Sequence, residues 1–279
     1  MLSQDVAGAP LNGAEATSKQ QYNLVSVRGL RKTYQTRSGE SIEAIKDISL
    51  EVSAGEFITI VGPSGAGKTT LLNILLGLLP YSGGEVRYKG ELLRGPRRDV
   101  GIVFQEPVLF PWRTVLQNVL LPAEVIGMEK KAAEARAKEL LEMVGLKDFL
   151  NKYPYEMSGG MQQRAAIARA LVHDPTLLLM DEPFGALDAL TRETMNLELM
   201  RIWKATGKTI MLVTHSIPEA IFLADRVVVL GVRPSRIAAL VDVELPRPRA
   251  LEMINTDHFG DLQRGVRKSL EVSVPGGEE

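Results

Sequence analysis

Apolar residues fall into two regimes along this chain: short runs bounded by glycine and polar turns at first, then longer stretches at helical spacing. Leu24 to Val27, Ile48 to Val52, Phe57 to Val61, Glu85 to Tyr88 and Val100 to Phe104 are rich in β-branched residues and separated by glycine turns, which predicts a sheet-rich first part. Between Pro107 and Val172 the pattern turns helical. Met128 to Val144 is its clearest segment, with an apolar edge at Leu140, Leu141 and Val144, Glu134 four residues before Lys138, and Gly145 placed to stop it. Leu177 to Met180 and Thr209 to Thr214 predict buried parallel strands, joined through a helix from Leu187 to Ala205 as a βαβ crossover. Ser216-Ile217-Pro218-Glu219 reads as a capping box with proline in the first turn, so Glu219 is expected as a helix cap, the alternative being a catalytic carboxylate. Phe259, Leu262, Val266 and Leu270 predict one amphipathic helix in the tail.

Composition narrows the class. A hydrophobic content of 45% over 279 residues supports one large α/β domain or two modest ones. Lys plus Arg (33) and Asp plus Glu (34) nearly cancel, so a net charge of −1 sets up no global field for nucleic acid or an anionic membrane. Cysteine is absent, which excludes disulfides and thiolate metal sites. Residues 1–23 hold scattered polar residues and no apolar core of the signal-peptide kind, and read as a disordered leader of an intracellular chain.

The candidate chemistry begins at Gly62-Pro63-Ser64-Gly65-Ala66-Gly67-Lys68-Thr69, which fills the pattern G-x-x-x-x-G-K-[ST] without mismatch. Closely spaced glycines let successive backbone N–H groups face one anion, and the following helix adds its unpaired N–H groups and positive dipole end. Lys68 is then expected to reach the β- and γ-phosphates of a nucleoside triphosphate, and Thr69 to ligate Mg²⁺. Phe57 to Val61 precedes the loop as a strand and Thr69 to Leu76 follows as a helix, the order the motif requires. The apolar stretch from Leu71 to Leu79 falls short of the roughly 20 residues a bilayer crossing needs.

Leu177 to Met180 ends in Asp181 and Glu182, which places two carboxylates where a strand beside the phosphate loop would present them. Asp181 is expected to hold Mg²⁺ through water, and Glu182 to orient and deprotonate the attacking water. His215, after the next apolar strand, is placed to hydrogen-bond the γ-phosphate, and Gln105 to sense Mg²⁺ or the lytic water. Each of these two taken alone is equally an ordinary polar strand end. Ser158-Gly159-Gly160 opens a second helix, Ala165 to Val172, and offers a second anion-binding terminus. One nucleotide needs one cradle, so the second fits the γ-phosphate of a nucleotide bound to another copy. Ser158 as a plain N-cap, with turn glycines after it, is the alternative.

Assembled, these residues resemble the nucleotide-binding subunit of ATP-binding cassette (ABC) transporters over about Leu24 to Leu245. The resemblance implies that Tyr34 stacks on adenine, Gly62 to Thr70 (including Thr70 itself) forms the Walker A loop, and Gln105 the Q-loop. It assigns Ser158, Gly159 and Gly160 to the signature loop, Asp181 and Glu182 to Walker B, Asp188 to the D-loop, and His215 to the switch. Met157 stands where the signature usually has Leu and Met161 where it usually has Gln; Ser158 and Gly160 keep the donors, so activity is expected to survive. The implied fold is α/β: a P-loop ABC ATPase with a mixed β-sheet core, an N-terminal antiparallel β subdomain and an inserted helical subdomain at about 107–172. The cassette is expected over 24–245 and a tail over 246–279.

Gln105 to Val115, together with Met157 to Arg164 and Thr214 to Ala220, is similar to the nitrate, sulfonate and taurine importer group. That similarity implies ATP and Mg²⁺ as ligands, a second copy and an integral membrane permease as partners, and a periplasmic solute-binding protein acting indirectly. It implies a peripheral position on the cytoplasmic face of the inner membrane and no nucleic acid partner. An exporter ATPase and a soluble non-transport ABC ATPase share the catalytic residues and remain the alternatives.

Overall fold

The computed structural model describes residues 23–36, 39–232 and 234–272; apart from Asn23, the expected leader lies outside them. Ten strands form one sheet: β1 (Asn23–Gln35), β2 (Ser41–Ser53), β3 (Phe57–Val61), β4 (Gly83–Tyr88), β5 (Glu91–Leu92), β6 (Val100–Val103), β7 (Leu177–Asp181), β8 (Thr209–Thr214), β9 (Arg226–Leu230) and β10 (Ser235–Asp242). Their spatial order is β5-β4-β1-β2-β10-β9-β3-β8-β7-β6. β1 pairs antiparallel with β2 and β4, whereas β9, β3, β8, β7 and β6 run parallel. β10 joins the two halves, parallel to β2 through Ser235 and Arg236 and antiparallel to β9. This is the mixed α/β sheet, with an antiparallel N-terminal part, that the resemblance implies.

Strands β3 and β8 are buried at every position, as unbroken apolar runs in a sheet covered on both faces must be. The two-residue period sorts their side chains between two cores. Phe57, Leu178, Met180, Ile210 and Leu212 face one, and Ile58, Ile60, Leu177, Leu179, Met211 and Val213 face the other. Helix α1 (Lys68–Leu75) packs into the second core, while α2 (Val115–Ile126), α3 (Lys130–Met143) and α4 (Gly159–Leu171) pack into the first.

Helix α4 starts six residues before the expected Ala165. Ser158 caps it by accepting from the Met161 N–H at 3.3 Å, so the two glycines become its first turn despite their poor helix propensity. Met157 is buried in the first core and Met161 packs against it, so both departures from the usual signature are apolar packing choices that leave the Ser158 cap intact. Helix α2 has a reciprocal capping box between Thr114 and Gln117. β6 stops at Val103, leaving Phe104 and Gln105 beyond the ladder.

Helices α5 (Ala189–Thr206), α6 (Ile217–Leu223) and α7 (Asp257–Val272) complete the first core. Phe259 and Val266 of α7 are fully buried there. The chain leading to α7 carries Arg249, whose Nη1 donates to the carbonyls of Ile221, Phe222 and Ala224 at 2.9, 2.9 and 2.7 Å, closing the C-terminus of α6. Burial, assisted by the neighbouring Arg247 charge, pulls that guanidinium down to about 10.

Truncating Phe259 to Ala removes a fully buried ring from this packing. The expected loss is about 3–5 kcal/mol, read as a Tm drop of roughly 6–15 °C by thermal unfolding. An unchanged Tm would show that α7 contributes nothing to the domain.

Candidate active site

β3, β8, β7 and β6 are parallel neighbours, so their carboxyl ends share one edge of the sheet. The register sets Val61 beside Thr214, Val213 beside Asp181, and Met180 beside Val103. The phosphate loop, His215, the Asp181-Glu182 pair and Gln105 therefore emerge side by side although they are far apart in sequence.

Gly65 and Gly67 adopt φ of +78° and +75°, the left-handed region that glycine enters without strain, and Gly67 caps α1. Ser235 Oγ donates to the Ala66 carbonyl at 2.7 Å and holds the loop from β10. Lys68 is buried, its Nζ donating to the carbonyls of Gly62 at 2.9 Å and Pro63 at 3.1 Å. Burial pulls its ammonium below the usual lysine range, against the opposing pull of Glu182 and Asp181. An anionic ligand in the loop would relieve that desolvated charge.

Asp181 is half-buried, and burial raises its carboxyl, reinforced by the Glu182 charge and opposed by a hydrogen bond from Thr69, by Lys68 and by His215. Thr69 and Asp181 together offer a hydroxyl and a carboxylate, hard oxygen donors of the kind Mg²⁺ takes beside substrate phosphates. Among the described residues, no group of three or more His, Asp or Glu is placed to hold a metal alone. Glu182 occupies φ +48°, a left-handed conformation costly for a residue with a side chain. Its amide donates to the Val213 carbonyl at 3.0 Å, and its Oε1 accepts from His215 Nε2 at 2.7 Å. Gln105 is exposed and reaches over the next turn, where a Cβ on Gly185 would stand 3.4 Å from its Nε2.

Tyr34 projects from β1 to Thr70, its hydroxyl 3.3 Å from Oγ1, with Lys32 Nζ 4.9 Å over its ring. The phosphate loop, Tyr34, Asp181, Glu182, His215 and Gln105 thus form one constellation. The second glycine loop stands elsewhere. Its flanks are the Asp188 turn, since a Cβ on Gly160 would meet Thr191 at 3.1 Å and one on Gly159 would meet Leu187 at 3.9 Å. Asp188 caps α5, accepting from Thr191 N at 3.0 Å and Thr191 Oγ1 at 2.6 Å. Ser158 and Gly159 are exposed.

Several participants went unread in the sequence, among them Ser235, Lys32, Arg192 and Asn196. Glu219 is corrected: the capping box is only half formed. Ser216 Oγ accepts from Glu219 N at 3.3 Å, but the Ser216 amide donates to Thr214 Oγ1 at 3.0 Å. The Glu219 carboxyl is instead buried, with Thr214 and Asn196 as its polar neighbours. It lines a cavity of about 410 Å³ together with Glu182, Arg192, Thr214 and His215. The only sequence signal was the position of Glu219 one turn after the histidine.

The family described as ABC transporter matches residues 45–185. The ABC transporter ATP-binding protein MJ0412 of Methanocaldococcus jannaschii is 49% identical over 81% of this chain and 84% of its own length. The taurine import ATP-binding protein TauB of Roseobacter denitrificans is 46% identical over 76% and 80% of the two chains. The nitrate import ATP-binding protein NrtC of Synechococcus elongatus is 44% identical over 89% of this chain but only 38% of its own length. Among solved structures, a dimeric post-hydrolysis state of the ATP-binding cassette MJ0796 bound to ADP and Pi superposes with a TM-score of 0.69 at 35% identity, over 80% of this chain and all (100%) of that one. The chain belongs to the ABC transporter family, as an ATP-binding, ATP-hydrolysing subunit.

Burial raises the Glu219 carboxyl above its usual range, assisted by the Glu182 charge and opposed by hydrogen bonds from Thr214 and Asn196 and by Arg192. A carboxyl raised on folding binds its proton more tightly in the native state, so that stabilisation is complete below the ordinary carboxylate range and is lost as pH climbs through the raised value. Glu219→Gln should therefore raise Tm at about pH 8, with the gap to wild type closing toward about pH 4. Thermal unfolding across that interval checks it, and a gap independent of pH would refute the buried-carboxyl reading.

Proposed function

We propose that the constellation at the strand ends hydrolyses ATP to energise uptake of a small solute, and that the convergence of Lys68, Asp181, Glu182 and His215 on one edge carries this reading. Tyr34 stacks on the adenine. Gly62, Pro63, Ser64, Gly65, Ala66 and Gly67 wrap the phosphates with backbone N–H groups, and the α1 terminus from Lys68 to Thr70 completes the cradle. Lys68 exchanges the Gly62 and Pro63 carbonyls for phosphate oxygens. Thr69 and Asp181, with Gln105, are the residues that would hold Mg²⁺, which when bound neutralises charge on the β- and γ-oxygens.

Glu182 orients the attacking water and takes its proton. His215 holds the carboxylate at 2.7 Å, so the base and the group that steadies it are already in contact. Such positioning and electrostatic stabilisation account for most of the catalysis in phosphoryl transfer.

The exposed Ser158 and Gly159, flanked by the Asp188 turn, lie outside this constellation and present free N–H groups at the α4 terminus. That arrangement supports a second copy of the chain as the partner, each Ser158-Gly159-Gly160 loop closing on the γ-phosphate held by the other. The dimeric cassette MJ0796 is a precedent. Hydrolysis removes the bridging charge and the halves part.

No helix among the described residues is long and apolar enough to cross a membrane. The taurine and nitrate import relatives support a separate membrane permease as the partner. Exposed Phe104, immediately before Gln105, and exposed Val108, Trp112 and Val125 after it offer that permease an apolar contact on the cytoplasmic face of the membrane. The taurine and nitrate import relatives support a small anionic or zwitterionic solute, nitrate, sulfonate or taurine, which a periplasmic binding protein would deliver.

Glu182→Gln keeps shape and removes the base. It should bind ATP, turn over at least about 100-fold more slowly and accumulate as a closed dimer, as phosphate release and sedimentation would report. Normal turnover would remove Glu182 from the role of base. Lys68→Ala should weaken ATP binding by tenfold or more in a fluorescent-nucleotide titration, on the order of one charge-assisted contact. Unchanged affinity would overturn the phosphate cradle.

A further inference from the structure

The Glu219 carboxyl is 5% exposed, and its Oε1 has neither solvent nor a hydrogen-bond partner. Leaving a carboxylate oxygen unpaired in a buried site costs stability, and an amide would satisfy the same position more cheaply. A group that costs stability beside a reaction centre invites a functional explanation.

Its surroundings supply one. Thr214 Oγ1 accepts from the Ser216 amide at 3.0 Å, which leaves its single proton to be donated toward the Glu219 carboxyl that lines the same cavity. Thr214 and Ser216 are the two neighbours of His215, which itself leans out of the loop with its side chain 48% exposed. Across the cavity, Arg192 of α5 attracts Glu219 and donates to the carbonyls of Phe184 at 3.3 Å and Leu187 at 2.9 Å, in the turn that follows Glu182. The charged groups around Glu219 are thus Arg192 from α5 and Glu182 from the end of β7, with His215 beside Thr214 at the end of β8. Glu219 and Arg192 brace the backbone on both sides of the 2.7 Å His215–Glu182 contact.

We propose that Glu219 is a positioning residue for ATP hydrolysis, its carboxyl locking Thr214 and the Ser216 amide so that His215 stays against Glu182 and keeps that base aimed at the attacking water. This inference rests on Glu182 as the base and His215 as its support. Glu219 touches neither nucleotide nor water in this role. It acts through the turn, and its effect belongs in kcat and not in ATP affinity.

The test uses the purified full-length chain, with steady-state hydrolysis over a range of ATP concentrations and a fluorescent-ATP titration. Glu219→Ala should lower kcat about 10- to 100-fold, the scale of a misplaced catalytic group, with the ATP Kd within about threefold of wild type. Thr214→Val, which keeps the side-chain shape, should give a similar kcat loss, and the double variant should lose no more than either single one, because both break one chain of hydrogen bonds. Glu219→Gln keeps an acceptor for the Thr214 hydroxyl and should restore kcat to within about threefold. Wild-type kcat in Glu219→Ala and Thr214→Val, losses that multiply in the double variant, or a Glu219→Gln protein that is stable yet as slow as Glu219→Ala would each overturn the proposal. If Glu182→Gln itself turned over normally, the underlying assignment of the base would fall. An impaired Glu182→Gln beside a fully active Glu219→Ala would sink this inference alone.

Discussion

The desolvation of one ammonium beside two carboxylates is the constraint on which the site depends. Lys68 is taken out of water at the start of α1, and Asp181 and Glu182 come to it from the end of β7, across the intervening β8. In a low-dielectric setting the three charges constrain one another strongly, so the strand order that brings them together cannot be altered without stranding a buried charge. The all-buried β3 and β8 make that setting possible, because a sheet covered on both faces leaves polar groups to gather at strand ends, here the carboxyl edge.

One of the four described non-glycine residues with a left-handed φ sits at the same edge. Glu182 holds a left-handed φ that favours glycine, secured by its amide bond to Val213 and by the turn bond from Gly185 to its carbonyl. Gly65 and Gly67 take left-handed angles at no such cost. The phosphate loop is therefore a relaxed receptor, while the carboxylate opposite it is held in place by its neighbours.

Much of this was legible in the sequence because it is local. The phosphate loop, the Leu177 to Glu182 strand and its carboxylates, and His215 after Thr209 to Thr214 are contiguous patterns, and the two-residue alternation of the buried strands follows from their composition. What escaped was non-local. Ser235 reaches the Ala66 carbonyl across 169 positions, a contact no spacing rule exposes. Glu219 was misread because Ser-x-x-Glu looks the same whether the carboxyl returns to the helix cap or turns inward. Thr214, by taking the Ser216 amide, decides between the two. The start of α4 was misplaced because glycine propensity argued against a helix that the Ser158 cap and a buried alanine face nonetheless sustain.

Arg249 closes the far end of α6 by bonding three of its terminal carbonyls, while Ser216 and Thr214 tie down the near end. A helix of seven residues anchored at both termini has no frayed turn to absorb a displacement. A displacement of the histidine turn would then be passed through α6 to α7, which packs against it, so the C-terminal region shares in the stiffness of the reaction centre.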